Sequence, residues 1–366
     1  MGGCCSLVRR RKNAEVDSKF KVIDGRRYQQ LDDSNYVLPN DSGEEERLDM
    51  QHILFDHFFD GNFSAPVDQL LRSGARVLDA CCGSGVWSID LAKRYPNSYF
   101  IGVDIAPVVL ADEKPSNLEF VEYNVLDGLP FNSNTFDYVF ARATLAVYTR
   151  AQWTELAIPE YARVTKPGGW VELMEFSGLL SGECENVQRL NTATATMFDS
   201  KNLIPSPGYE IQSFLEQSGF FTNIGYTERT LPIGPKGDKY AEMGIRDWRD
   251  FYHGMRFPFS KIMQVTGEHY DAIVEAAIKE LIRFGCTWDT MRAWGKEERL
   301  DVQRIILKHA FNGDFSEPVD QLLKYGARVL DVGSWTSELA KEYRNSYFID
   351  IAPVILTEEK PSNVDS

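Results

Sequence analysis

The sequence predicts an α/β fold with a Rossmann-like, doubly wound, mostly parallel sheet and helical additions. Two observations support this prediction. Short apolar runs alternate with helical patterns between residues 76 and 176, and a glycine-containing loop follows the first of these runs. Strands that alternate with helices form β-α-β units, in which helices cover both faces of a parallel sheet.

The predicted elements follow one another in a regular order. Helix-start residues at 42–46 precede apolar side chains at helical spacing, which predicts a helix through Phe59. The predicted strands are RVLDAC, SYFIGVDI, LEFVEYNV, FDYVFARA and WVELMEF. WSIDLAKRY and TRAQWTELAIPEYARVT are predicted helices between strands. Residues 183–295 have a mostly helical pattern, with strand character at TNIGYTERTLPIG.

The 366 residues divide into three segments. Residues 1–35 are polar and aperiodic, which predicts a disordered, basic N-terminal tail. Residues 36–295 form the α/β domain, for which a hydrophobic content of 43% supplies a substantial core. No apolar run is long enough to cross a bilayer, which takes about 20 residues.

Residues 296–366 repeat part of the domain. Segments 49–80 and 301–332 are identical at 20 of 32 aligned positions, and the likeness extends over residues 44–118 with deletions. The second copy loses residues from the glycine loop and from the next strand, and it ends before an expected third strand. We therefore interpret it as a truncated, non-functional duplicate. A second hypothesis is that it competes with the first copy for pairing in the sheet, as in domain swapping.

Charge is distributed unevenly along the chain. The formal net charge is −15, yet residues 1–27 contain eight arginines and lysines against three acidic residues. Because nucleic-acid binding relies on cationic contacts to phosphates, the acidic remainder argues against a nucleic-acid partner. A basic tail on an acidic body indicates two different roles.

The first residues, MGGCCS, match two lipidation patterns. Gly2 and Ser6 fit the N-myristoylation pattern, and Cys4 and Cys5 occupy positions where palmitoyl groups are commonly added. Stable anchoring needs a second acyl chain or a basic patch. The tail offers both, because a basic run follows directly: Arg9, Arg10, Arg11 and Lys12. We expect a cytoplasmic protein, attached peripherally to the cytoplasmic face of a membrane.

The loop after the first predicted strand contains residues that are typical of a cofactor-binding site. Asp79 ends that strand, and Gly83 and Gly85 open the next helix, where the backbone must turn sharply and approach a ligand. Asp104 ends the second strand, nineteen residues after Gly85. An acidic side chain there can accept both hydroxyl protons of a ribose. Loop and acid together predict an adenosine-containing cofactor.

The same loop distinguishes between cofactors. Dinucleotide-binding loops have the pattern G-x-G-x-x-G, with the pyrophosphate at the helix N-terminus. Here the third glycine is absent, and the bulky Trp87 stands near its place. S-adenosylmethionine has no pyrophosphate and tolerates this arrangement. An NAD-linked oxidoreductase is therefore disfavoured.

Four ordered motifs carry a family resemblance: VLDACCGSGVW, FIGVD, YNVLDGLPFNSNTFDYVFAR and VTKPGGWVELME. With them, residues 25–295 resemble class I S-adenosylmethionine-dependent methyltransferases, in particular fungal ones related to regulators of secondary metabolism. The polar leader with LPND-type and RL-x-x-QH-type segments adds to this likeness. The resemblance implies S-adenosyl-L-methionine as cofactor.

The resemblance also implies a cofactor site. The residues at matching positions are Asp79, Cys81, Gly83, Gly85, Asp104, Ile105, Asn124 and Val125, with Pro167-Gly168-Gly169 at the turn before the fifth strand. Two positions depart from the family pattern. Cys81 replaces the first glycine, which adds a side chain near the ligand. Asn124 replaces an acid near adenine but keeps an acceptor oxygen.

No catalytic side chain or metal ligand is assigned from the sequence. Methyl transfer mainly requires alignment of the acceptor atom, and a base only where the acceptor must lose a proton. Glu172, Glu175 and Tyr148 are candidates near strand ends, each with a structural role as the alternative. The acceptor stays open between small molecule, lipid and protein. The rival hypothesis is a non-catalytic interaction or regulatory protein on the same fold.

Overall fold

The computed structural model describes residues 20–29, 38–106, 114–234 and 239–298, and three short strands at 328–331, 347–350 and 364–365. The chain forms two compact units. The first comprises residues 1–218 and 222–297, and the second comprises residues 219–221 and 298–366. No helix among the described residues is long and apolar enough to cross a membrane.

A β-hairpin lies within the N-terminal tail. Strands β1 (Phe20–Ile23) and β2 (Arg26–Gln29) pair antiparallel. Asp24 and Gly25 form the turn with φ of 50° and 77°, and Asp-Gly is a strong signal for such two-residue turns. The prediction of a disordered tail over residues 1–35 is therefore wrong for residues 20–29. The lipidation motif lies outside the described residues.

A seven-stranded sheet is the centre of the first unit. Its strands along the chain are β3 (Arg76–Ala80), β4 (Tyr99–Asp104), β5 (Leu118–Glu122), β6 (Phe136–Arg142), β7 (Thr165–Phe176), β8 (Phe221–Ile233) and β9 (Cys286–Glu297). Their order across the sheet is β5-β4-β3-β6-β7-β9-β8. Strands β3 to β7 are parallel and β9 is antiparallel to β7. The predicted mostly parallel sheet is confirmed.

Strand β9 corrects the prediction of a mostly helical segment over residues 183–295. In its middle, Met291, Arg292 and Ala293 are all buried, so the strand lacks the alternation that marks a half-exposed strand. Arg292 is accommodated because its Nε lies 3.7 Å from a carboxylate oxygen of Glu172 on β7. A strand covered on both faces is difficult to recognise from periodicity alone.

Helices cover the sheet. They are α1 (Ser42–Phe58), α2 (Asp68–Ser73), α3 (Val86–Arg94), α4 (Arg150–Gln152), α5 (Ile158–Val164), α6 (Glu185–Ser200), α7 (Ile211–Ser218), α8 (Lys239–Gly254), α9 (Arg256–Ile262) and α10 (Gly267–Phe284). Short 3₁₀ turns lie at Val125–Asp127 and Pro207–Tyr209. The helices predicted around the glycine loop and before the fifth strand are present.

The helix predicted before the fifth strand is interrupted. Thr149 begins α4 with a capping box that includes Gln152, and a π-helical turn, Trp153–Ala157, separates α4 from α5. Pro159 lies in the first turn of α5. Because proline has no N–H and crowds the carbonyl four residues earlier, a regular helix cannot continue unchanged through this position. The wider π turn precedes the proline.

Aromatic packing fixes the start of α3 against the sheet. The Trp87 ring stacks on Phe140 of β6, with ring centroids 4.1 Å apart and planes 6° from parallel. Trp87 Nε1 donates to the backbone oxygen of Asn62 at 3.0 Å. Ser88 Oγ, one residue on, donates to Asp79 at the end of β3 at 2.7 Å. The Trp87 side chain, which follows the glycine loop in the sequence, is thus directed into the core.

The second unit contains a three-stranded parallel sheet of β10 (Arg328–Asp331), β11 (Tyr347–Asp350) and β12 (Val364–Asp365). Its register repeats that of the first copy: Arg328 lies opposite Tyr347, as Arg76 lies opposite Tyr99 in the first unit. The expectation that the copy ends before a third strand is wrong, because the two residues of β12 pair with β11 at the equivalent position.

Candidate active site

A cavity of about 130 Å³ lies at the carboxyl ends of the parallel strands. Seven of the eight sequence-predicted cofactor residues line it: Asp79, Cys81, Gly83, Asp104, Ile105, Asn124 and Val125. The eighth, Gly85, is the N-cap residue of α3 and turns the loop with φ of 77°. Ligands of open α/β sheets bind at this edge.

The backbone of the loop explains both the glycines and the departure from the family pattern. Gly83 has φ of 56°, in the left-handed region where a side chain is unfavourable. Cys81, at the position of the family's first glycine, has φ of 60°. A left-handed residue with a Cβ costs about 1–2 kcal/mol. Burial raises the pKa of the Cys81 thiol well above its usual value, so the side chain is present as a neutral thiol.

Asp104 ties the loop to the end of β4. One carboxylate oxygen accepts from the Gly83 N–H at 2.8 Å and the other from the Ala106 N–H at 3.0 Å. Burial raises the pKa of Asp104, while these backbone donors act in the opposite direction. Each carboxylate oxygen has a further lone pair, so the residue can still accept hydrogen bonds from ribose hydroxyls.

Asp79 is a buried acid on the other side of the loop from Asp104, and the residue is 3% exposed. Burial raises its pKa to about 7, although the hydrogen bond from Ser88 and the positive charge of Arg142 both act to lower it. A carboxyl group with this pKa is half protonated near neutral pH. A cationic group of a ligand beside it would favour the charged form.

Asn124 has a local structural role. Its side-chain oxygen accepts from the Leu126 N–H at 3.1 Å and begins the 3₁₀ turn behind β5. The acceptor oxygen expected to contact adenine is therefore already engaged, with one lone pair left. The amide N–H₂ group and the neighbouring Val125 also line the cavity.

Sequence reasoning missed part of the cavity wall. The segment before α1 and the helix itself contribute Pro39, Asn40, Asp41, Glu44, Glu45, Leu48 and Gln51, and β6 contributes Arg142. Asp41 begins α1 by accepting from the Glu44 N–H at 3.2 Å, and it pairs with Arg26 of the hairpin at 2.6 Å. The LPND and QH segments of the leader were the available signal for this wall.

The three candidate catalytic residues support the fold instead, and none lines either cavity described here. Glu172 is fully buried and accepts from the backbone N–H groups of Ser64 and Ala65. Glu175 accepts from Thr144. Burial raises the pKa of Glu175 to about 8. The Tyr148 hydroxyl lies 3.1 Å from that of Tyr161; the structural alternative fits all three candidates.

A second cavity, of about 70 Å³, adjoins the first. Leu48, Gln51 and Ala143 line both cavities. The remaining walls are mainly apolar, and the end of β7, α6, α8 and β9 contribute five aromatic side chains to them: Phe176, Phe198, Trp248, Phe251 and Trp288. Two ligands bound in these cavities would meet at the three shared residues.

Comparisons with known proteins identify the family. A family described as a methyltransferase domain matches residues 77–169. The N-methyltransferase sirN of Leptosphaeria maculans is 30% identical over 279 residues, which cover 70% of this chain and 95% of the relative. The chain belongs to the class I S-adenosylmethionine-dependent methyltransferases. Methyltransferase str3 of Strobilurus tenacellus is 31% identical over 55% of this chain and 71% of its own length.

As a methyltransferase, the chain uses S-adenosyl-L-methionine as cofactor. A further relative, the secondary metabolism regulator laeA of Aspergillus flavus, is 28% identical over 63% of this chain and 62% of its own length. The resemblance drawn from the four sequence motifs is therefore confirmed, and the enzyme interpretation is favoured over a non-catalytic one. The lining suits the cofactor chemically, because Asp79 can pair with a cationic group and Asp104 can accept hydrogen bonds from hydroxyl groups.

Cofactor affinity of this methyltransferase should depend on pH through Asp79. The pKa of its carboxyl is about 7, and only the ionised form pairs with the cationic methionine end. We expect S-adenosylhomocysteine to bind about tenfold more tightly at pH 8 than at pH 6, with release of a proton. Calorimetry in buffers of different ionisation enthalpy measures both effects. The Asp79→Asn variant should bind more weakly and show a flat profile; a flat wild-type profile would contradict the expectation.

Proposed function

We propose that this methyltransferase transfers the methyl group of S-adenosylmethionine to a small molecule bound in the second cavity. The observation that supports the proposal is the common border of the two cavities at Leu48, Gln51 and Ala143. Methyl transfer requires an acceptor atom about 3–3.5 Å from the methyl carbon and in line with the bond that breaks. An acceptor in the second cavity approaches the cofactor across this border.

The size and lining of the second cavity favour a small, mainly apolar acceptor over a protein or a whole lipid. A volume of about 70 Å³ is too small for a peptide segment. Its aromatic walls provide apolar contact area for such a molecule. Two relatives carry the names N-methyltransferase and methyltransferase, and neither name specifies an acceptor for this chain.

Transfer of a labelled methyl group tests the proposal. The purified protein is incubated with cofactor labelled in the methyl group and with a cell extract that is separated into small-molecule, lipid and protein fractions. We expect label in the small-molecule fraction. A Leu145→Trp variant, at a residue that lines only the second cavity, should bind S-adenosylhomocysteine but transfer no label. Label in the protein or lipid fraction alone would contradict the proposal.

We also propose that the methyltransferase activity belongs to residues 36–295 and does not need the duplicate over residues 296–366. Every residue that lines the two cavities lies between Leu38 and Trp288. We expect deletion of residues 299–366 to leave S-adenosylhomocysteine affinity within about twofold of the full chain, a change of about 0.4 kcal/mol. A larger loss of affinity, or a changed oligomeric state, would favour competition between the two copies.

For location, we propose attachment to the cytoplasmic face of a membrane through acyl groups on Gly2, Cys4 and Cys5, assisted by the basic run that follows them. The match to the lipidation patterns supports this proposal. Cell fractionation of the wild type and of Gly2→Ala tests it. An equal membrane fraction for the two proteins would exclude acylation as the anchor.

A further inference from the structure

A buried charged cluster lies at the two cavities: Arg47 and Asp247 line the second cavity, and Glu44 lines the first. Arg47 of α1 donates to Glu44 through Nη2 at 2.7 Å and to Asp247 of α8 through Nη1 at 2.8 Å. The three side chains are at most 4% exposed. One arginine against two acids leaves one formal negative charge in this cluster when both acids are ionised. Burial of charged groups is costly, so the position of this cluster at the cavity walls is a candidate for a role in binding.

Asp247 is the member that faces the acceptor. It lines the second cavity, and its second carboxylate oxygen lies 3.4 Å from Gln51 Nε2, on the border with the cofactor cavity. Both carboxylate oxygens keep unused lone pairs, since the carboxylate offers about four acceptor positions. The Asp247 carboxylate can accept a proton, and only the Gln51 side chain separates it from the cofactor cavity.

The neighbouring residue supplies a donor. Trp248 also lines the cavity, and its indole Nε1 is buried without a hydrogen-bond partner among the described residues. Buried polar groups normally have partners, so an unpaired N–H in a cavity wall points to a ligand atom. A hydroxyl group complements this pair, because its oxygen accepts from the indole while its O–H donates to the carboxylate.

The aromatic side chains define the shape of the ligand. Trp288 packs edge-to-face against Phe176 and against Trp248, with ring centroids 4.9 and 5.4 Å apart and planes at 70° and 76°. Phe251 packs against Trp248 in the same manner, at 5.4 Å and 79°. Rings in such clusters accept a further flat ring by stacking or by edge contact.

We propose that the acceptor is a single-ring phenol whose hydroxyl proton passes to Asp247. This inference rests on the proposed function. In the step, the acceptor oxygen forms a bond to the methyl carbon of S-adenosylmethionine while the carbon–sulfur bond breaks. Its electron pair stays on sulfur, and the hydroxyl proton moves to the Asp247 carboxylate. The products are an aryl methyl ether and S-adenosylhomocysteine.

The protonation chemistry of Asp247 agrees with this role. Burial raises its pKa to about 6, although Arg47 and Gln51 donate hydrogen bonds to it; Glu44 adds to the increase. These are the charged and polar groups that face it from α1. A general base works best when its pKa lies near the operating pH. Above pH 6 the carboxylate is ionised and able to receive the proton.

Binding of 4-nitrophenol tests the inference without turnover, since only its ionised form absorbs visible light. Added to protein that is saturated with S-adenosylhomocysteine at pH 7.5, it should bind in the neutral form and lose visible absorbance. Asp247→Asn should weaken its binding about tenfold, the value of one hydrogen bond to a charged acceptor. Asp250→Asn, one turn further along α8 and paired with Arg246 at 3.6 Å, is the matched control and should bind like wild type.

Two further measurements separate the outcomes. Binding of nitrobenzene, which has the same ring without a hydrogen-bond donor, should be about tenfold weaker than that of 4-nitrophenol. Equal binding of both probes, or an unchanged affinity in Asp247→Asn, would overturn the inference. Binding of S-adenosylhomocysteine by Asp247→Asn shows that the variant is folded. If the wild-type protein does not bind S-adenosylhomocysteine, this result would instead contradict the methyltransferase function itself.

Discussion

Replacement of Asp104 by alanine should abolish useful cofactor binding. The carboxylate is expected to accept two hydrogen bonds from the ribose and also holds the Gly83 N–H in the loop at 2.8 Å. Hydrogen bonds to a charged group contribute about 1.5–3 kcal/mol each. Loss of both therefore weakens S-adenosylhomocysteine binding by about 100-fold or more, as measured by calorimetry.

Two variants complete this experiment. Asp104→Asn keeps an acceptor oxygen without the charge and should lose less affinity than Asp104→Ala. Asp127→Ala removes an exposed acid from the 3₁₀ turn behind β5, outside the cavity lining, and should bind like wild type. Wild-type affinity in Asp104→Ala, with an unchanged far-ultraviolet spectrum, would show that this residue does not hold the ribose.

Replacement of Arg47 by methionine should cause the largest loss of stability. Methionine fills similar volume but leaves Glu44 and Asp247 buried without their common partner. Breaking a buried ion pair by removing one partner costs about 3–5 kcal/mol, because the remaining charge stays desolvated. Urea unfolding followed by tryptophan fluorescence should show this decrease in the free energy of unfolding.

Arg246→Met is the matched control on the neighbouring helix. Its guanidinium is 62% exposed and lies 3.9 Å from Glu46, so its removal should cost less than about 0.5 kcal/mol. The triple variant Glu44→Gln, Arg47→Met, Asp247→Asn should recover most of the stability, because no buried charge is left unpaired. Equal stability of Arg47→Met and Arg246→Met would refute the argument.

The local pattern of the sequence was sufficient to predict the five parallel strands of the sheet. Strands β3 to β7 combine short apolar runs with turn residues, and their alternation with helices determines the topology. The Asp-Gly turn of the hairpin was an available signal that was not used. Strand β9 was not predictable in this way, because Arg292 is buried by pairing with a residue more than a hundred positions earlier.

The candidate site was predictable where one loop carries it, and less so where distant segments meet. Asp79, Gly83 and Asp104 follow from spacing along consecutive strands and line the cavity. The second cavity combines side chains from α1, β7, α6, α8 and β9, and no local pattern brings these together. The link between Arg47 and Asp247 spans 200 residues and is visible only in three dimensions.

The sheet of the second unit bears on what sets the pairing of these strands. Residues 328–331 and 347–350 pair in the same parallel register as the similar residues 76–79 and 99–102, although the turn after the first strand is four residues shorter. The length of that turn therefore does not determine which residues of the two strands lie opposite each other.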